Sequence, residues 1–145
     1  AQQALQRNGG EIPLDEQAQL HHMLGRLLRE TGQLDQSIHQ LSEAIRIAPQ
    51  SLNSFLELGL TQEERRQFGP ALETYKKAIN SYPADSRPYY QAALLLKSGR
   101  DYPAAETMLR KAAERDPENV EIHRQLAALV AINLVHSRQA VSPEM

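Results

Sequence analysis

The chain has 145 residues, 41% of them hydrophobic and 23% charged, with a net charge of −2. That length holds one domain or a short repeat array, and the near-neutral balance gives no bulk field toward nucleic acid or an anionic membrane. Cysteine is absent, which excludes disulfides and thiolate metal sites and leaves the compartment open; no apolar run approaches the roughly 18 residues of a membrane span.

The start, "AQQALQRNGG", has neither a basic nor an apolar signal-peptide region. Its "AQQAL" matches "LSEAI" further on, with Ala4 in the place of Ala44. It therefore reads as the remnant of a preceding helix, spanning with its loop residues 1–17 and joined to the next helix through "RNGGEIP". No strand pattern is expected anywhere.

From residue 18 the chain repeats. Pro49, Pro83 and Pro117 recur every 34 residues, as do Ala44, Ala78 and Ala112. Ser37, Ala71 and Ala105 form a second small register, and Leu41, Tyr75 and Leu109 a bulky one between the two. The preceding half of each period repeats as well. A bulky residue leads (His21, Phe55, Tyr89), then Leu24, Leu58 or Ala92, then a small Gly25, Gly59 or Ala93, then Leu28, Gln62 or Leu96. Apolar residues fall at i, i+3, i+4 and i+7 in both halves, so each period predicts two helices. First helices are expected near 18–31, 52–65 and 86–98, and second helices near 34–47, 68–81 and 102–115. "TGQLD" and "SGRDY" separate the helices, with Gly32 and Gly99 read as helix stops. Pro70, Pro88 and Pro103 fall in first turns, where a missing N–H costs least.

A 34-residue period with small, bulky and proline positions resembles the tetratricopeptide repeat (TPR) family. The resemblance covers residues 18–117 as three units, 18–51, 52–85 and 86–119, and continues weakly to about Val130. It departs from the family pattern in lacking tryptophan, and in having Gln62 and Arg66 where the second unit would carry an aromatic residue and a glycine. The implied fold is all-α: a right-handed α-solenoid of helix-turn-helix units. Residues 120–138 would form a C-terminal capping helix, followed by a flexible tail over 139–145.

In this family the concave face is lined by the first helix of each unit. The second, fifth, ninth and twelfth places of those helices then point inward. They are Gln19, His22, Arg26 and Arg29; Asn53, Leu56, Leu60 and Glu63; Arg87, Tyr90, Leu94 and Lys97; and, from the last helix, Glu121, Arg124 and Ala128. The expected groove is an apolar strip of Leu56, Leu60, Tyr90 and Leu94 flanked by Arg26, Arg29, Arg87, Lys97 and Arg124. Exposed apolar patches of this kind mark contact sites. The implied ligand is a protein, peptide or helix with apolar anchors and some acidic residues. The alternative is that Leu56 and Leu60 pack on a neighbouring unit and the arginines are a solvated face. Some family members hold a peptide's terminal carboxylate with a Lys/Asn/Asn/Lys/Arg clamp. The matching positions here are His22, Arg26, Glu57, Arg87 and Gln91. Only Arg87 keeps the charge conservatively, and Glu57 would repel a carboxylate.

No catalytic, cofactor or metal site is expected. His21 and His22 are adjacent, so they point about 100° apart on a helix and cannot share an ion. His39, His123 and His136 lack a completing partner at i+4. Glu63 and Glu64 beside Arg65 and Arg66 read as a solvated charged face rather than an acid–base pair. There is no phosphate loop or nucleophile elbow. Tyr90 and His22 are the only groove rings that could stack on a base, which makes RNA a minor reading. In the last helix "LAALVAINLV" is apolar on nearly every face except at Asn133. Leu126 and Val130 can turn inward, which leaves Leu129, Ile132 or Val135 over for a homodimer contact or for chain beyond.

The functional expectation is a protein–protein interaction module, a scaffold or adaptor, and not an enzyme. Two other readings are a substrate-selecting domain of a larger enzyme, such as a glycosyltransferase, and a self-assembling structural array.

Overall fold

In a computed structural model, Gln6, Arg7 and residues 10–141 are described, with side chains described for residues 12–139. Two short strands, β1 (Gln6–Arg7) and β2 (Gly10–Glu11), pair antiparallel, with Gln6 opposite Glu11 and Arg7 opposite Gly10. This corrects the expectation of no strand. Ala4, the anchor of the helix-remnant reading, lies outside the described residues.

Seven helices come after the strands among the described residues: α1 (Leu14–Glu30), α2 (Leu34–Ile47), α3 (Leu52–Glu64), α4 (Phe68–Ser81), α5 (Ser86–Ser98), α6 (Tyr102–Arg115) and α7 (Val120–Val141). All but α1 begin on the residue that the repeat predicts. Helix α1 begins one turn early, directly after Pro13, and the Gln17 side chain secures that turn by donating to the Ile12 carbonyl at 2.7 Å. Period-spaced side chains cap the starts of α3, α5 and α7. Ser51, Asp85 and Asn119 accept from the backbone N–H groups of Ser54, Arg87 and Ile122 at 3.4, 3.0 and 3.2 Å.

The first helix of each hairpin ends in the same way. Gly32, Arg66 and Arg100 have φ of 82°, 65° and 64°, and the N–H one residue on reaches back to Leu28, Gln62 or Leu96 at 2.8, 2.7 and 2.9 Å. These are Schellman caps. Gly99 is therefore not the residue that turns the chain. Its φ is −83°, and Arg100, in register with Gly32, takes the left-handed conformation.

The chain forms two compact units, Ala1–Ser81 and Tyr82–Met145. In the first, α1 packs on α2, α3 on α4, and α2 on α3. The small and bulky registers are the contacts. Ser37, Leu41, Ala44, Ala71, Tyr75 and Ala78 are buried. A β-carbon on Gly25 would lie 2.6 Å from Leu41 Cγ, and one on Gly59 would lie 2.6 Å from Tyr75 Cζ. The Ser37 hydroxyl donates to the Gly25 carbonyl at 2.6 Å, a bond the close approach makes possible. Tyr75 donates its hydroxyl to the Glu63 carboxylate. Glu63 is thus the partner of a buried phenol and not merely part of a solvated face. Gln62, in place of the family aromatic, accepts from the Thr74 hydroxyl at 2.6 Å.

In the second unit α5 packs on α6 and α6 on α7, with Ala93, Ala105, Leu109 and Ala112 buried. The Pro83 carbonyl is a node. It accepts from the Tyr89 hydroxyl at 2.9 Å and from Arg115 Nε, while the Arg115 guanidinium lies 4.3 Å from the Tyr89 ring centroid. One period on, His123 Nε2 meets the Pro117 carbonyl in the same way. Helix α7 buries Ile122 and Leu129. Leu129 is therefore not left over, whereas Val135 is exposed as expected, and Leu134 with it. Asn133, the polar exception in the last helix, donates to the Tyr102 carbonyl and the Glu106 carboxylate at 3.2 and 2.8 Å.

Candidate peptide-binding faces

In the first unit a cleft of about 410 Å³ opens between α1 and the start of α3. It is lined from α1 by Asp15, Ala18, Gln19, His22 and Met23, from the connection by Ala48 and Ser51, and from α3 by Asn53 and Ser54. In the second unit a cleft of about 140 Å³ lies between α5 and the start of α7. Ser86, Arg87, Tyr90, Gln91, Asn119, Glu121 and Ile122 line it. These residues stand two full periods after Ala18, Gln19, His22, Met23, Ser51, Asn53 and Ser54, position for position. The repeat thus builds the same concavity twice, and the second and fifth places of the first helices line both copies.

The side chains differ. In the first cleft His22 Nδ1 lies 2.9 Å from the Ser54 hydroxyl, which is itself 3.0 Å from that of Ser51. Burial holds the His22 pKa below the usual histidine value; Glu57 pulls it up and Arg26 down. The second cleft exchanges the imidazole for the half-buried Tyr90 and the serine for the buried Ile122, so it is more apolar at its base.

The rest of the expected apolar strip and its basic flank behave otherwise. Leu56, Leu60 and Leu94 are half-buried rather than open to solvent. The basic flank is largely neutralised within each unit. Arg29 pairs with Glu57 at 2.9 Å and with Glu64 at 3.0 Å. Burial opposes its charge, but the hydrogen bonds to Glu64 and Glu57 outweigh burial and raise its pKa. Arg87 pairs with Asp85 at 2.9 Å and Arg124 with Glu121, while Lys97 donates to the Gln125 amide oxygen at 2.9 Å. Arg26 is exposed. These pairings, which run between helices or within one turn, are what sequence register alone missed.

Among the described residues no three histidine, aspartate or glutamate side chains converge on a point that could hold an ion, and no helix is long and apolar enough to cross a membrane. His21 Nδ1 lies 2.6 Å from the Gln40 side-chain oxygen, which occupies it in packing.

Family models described as tetratricopeptide repeat match residues 18–51, 53–85 and 89–133. The chain belongs to the tetratricopeptide repeat family. Its fold is the all-α helical repeat of that family. No curated protein sequence matches the TPR chain significantly. Among solved structures it resembles the first TPR of Spaghetti (RPAP3) bound to the HSP90 peptide SRMEEVD. That likeness has a TM-score of 0.75 at 13% identity, over 83% of this chain and 95% of the other. The Arabidopsis OM64 TPR domain gives 0.74 at 17% identity, over 82% and 98%. The Yersinia enterocolitica type III secretion chaperone SycD, in complex with a peptide of the translocator YopD, gives 0.72 at 17% identity, over 79% and 93%. At these identities the likeness is one of fold.

Proposed function

We propose that this TPR chain is a protein–protein interaction module, a scaffold or adaptor rather than an enzyme, that takes a peptide or short helix on the faces of its first helices. One observation carries the reading: the same cleft recurs two periods apart, lined from the same register places, with different side chains in each copy. Each cleft, lined from the first helix of its own unit, suits a peptide or short helix that offers it a side chain. Two of the structural neighbours are bound to peptides, which supports the class of ligand.

The chemistry suggests what the ligand presents. The first cleft offers hydrogen-bonding groups from Gln19, His22 and Asn53 beside the apolar Met23 and Ala18. The second offers Tyr90 and Ile122 for an apolar anchor, with Gln91 at its side. Leu56 and Leu60 extend apolar surface along α3. Arg26 is the flanking cation suited to an acidic side chain, since Arg29, Arg87 and Arg124 are each held by a carboxylate of their own unit. A terminal carboxylate is disfavoured, because Glu57 stands at a position where such ligands need a neutral or basic group.

The test is selection of binders from a peptide-display library by the wild-type chain, followed by affinity measurement against Leu60→Asp and Tyr90→Asp with circular dichroism as the control. Loss of binding in both, with helical content unchanged, is expected. Undiminished affinity for the selected peptides would sink the reading.

A further inference from the structure

The internal copy of one helix face shows what α1 lacks. In α3 the residues Ser54, Leu58 and Thr61 are buried, and α2 packs on that helix. One period earlier the same places hold Leu20, Leu24 and Leu27, which are larger or equally apolar, yet they are 38, 39 and 57% exposed. With Met23 they form a stripe at i, i+3, i+4 and i+7, opposite the buried Gly25. Such a stripe on a helix belongs under a second helix.

Helix α7 carries the complement. It turns Leu129 inward and leaves Ala127, Ala131, Leu134 and Val135 exposed on the opposite side. Small residues beside bulky ones are what α2 uses in its own contacts, through Ser37, Leu41 and Ala44. The stripes match in length, about 10 Å from Leu20 to Leu27 and about 12 Å from Ala127 to Val135 at the rise of an α-helix. One end matches in charge, with Asp15 and Glu16 before the α1 stripe and Arg138 after that of α7, while at the other end Arg124 is held by Glu121. An antiparallel pairing sets Arg138 beside Asp15 and Glu16.

We propose that α7 of one copy covers the Leu20–Leu27 stripe of α1 in a second copy. The contact is heterologous, with different faces on its two sides, so each added copy leaves one open α1 face and one open α7 face. Association then grows with concentration as a linear series rather than stopping at a symmetric dimer.

Two double variants test this. Leu24→Glu with Leu27→Glu spoils the α1 face; Leu134→Glu with Val135→Glu spoils the α7 face. Light scattering after size exclusion should show the wild-type chain rising above monomer mass with concentration, each variant remaining monomeric, and their equimolar mixture forming a one-to-one dimer. A wild-type chain that stays monomeric overturns the proposal. So does a variant that still associates with itself, which would indicate a symmetric contact such as α7 on α7. A second measurement does not depend on the glutamates folding well. The chain has no cysteine, so Leu27→Cys and Ala127→Cys, which the antiparallel register sets opposite each other, each add a single thiol. Oxidation of the mixture should give the disulfide heterodimer in clear excess over either homodimer. A statistical mixture of the three would refute the contact.

Discussion

Gly59 has no β-carbon because the Tyr75 ring occupies the place where one would stand. Alanine there would gain about 1 kcal/mol in helix propensity. It would also drive into a buried ring that Glu63 holds by its hydroxyl. Overpacking of this kind costs about 1–3 kcal/mol, so Gly59→Ala is expected to lower the urea midpoint. Gly25→Ala should act in the same direction, since its β-carbon would lie 2.6 Å from Cγ of the fully buried Leu41.

The bond from Tyr75 to Glu63 has its own signature. Burial, and then the Glu63 carboxylate, push the phenol pKa well above its ordinary value. The folded state therefore keeps its proton where the unfolded chain would release it. This contribution is complete below about pH 10, the ordinary tyrosine value, and is lost as pH rises beyond it. Tyr75→Phe should cost about 1.5–3 kcal/mol at neutral pH, the range for a hydrogen bond to a charged group. It should also flatten the alkaline fall in stability. Denaturant titrations of both proteins at pH 7 and above pH 10 check both effects. An alkaline fall of equal size in the variant would discount Tyr75 as its source.

Arg100 stands in the left-handed conformation that Gly32 takes in the first hairpin. A side chain there costs about 1 kcal/mol or more relative to glycine. Arg100→Gly is therefore expected to stabilise the second unit by about 1 kcal/mol, read as a rise of a few degrees in melting temperature. Arg66→Gly should gain less, because Arg66 also lies over the Phe68 ring at 5.6 Å.

The helical frame was legible because packing repeats. Ser37, Leu41 and Ala44 recur as Ala71, Tyr75 and Ala78 since the two helices of each hairpin meet through the same places. Periodicity marks a residue's place but not its conformation. Gly99 drew attention as a glycine, although the strained place is the next one. Ser51, Asp85 and Asn119 were equally periodic, yet they show as caps only once the N–H groups they meet are known. The clefts derive from register, so Gln19, His22, Arg87 and Tyr90 were readable. The fate of Arg29 was not, because Glu57 lies 28 residues away on another helix and no period links the two.

His22 supplies a pH test of the first cleft. Burial depresses its pKa, against the pull of Glu57 and with the push of Arg26. The folded state therefore resists a proton that the unfolded chain accepts. The stability from a neutral His22 is present above about pH 6.5, the ordinary histidine value, and is lost as pH falls through the lower folded value. His22→Gln keeps a group able to bond Ser54 and removes the titration. The parent should lose more stability than this variant between pH 7 and pH 5, as read from urea midpoints at each pH. If His22→Gln and the parent fall in parallel, His22 binds its proton equally in the folded and unfolded states and another group sets the slope.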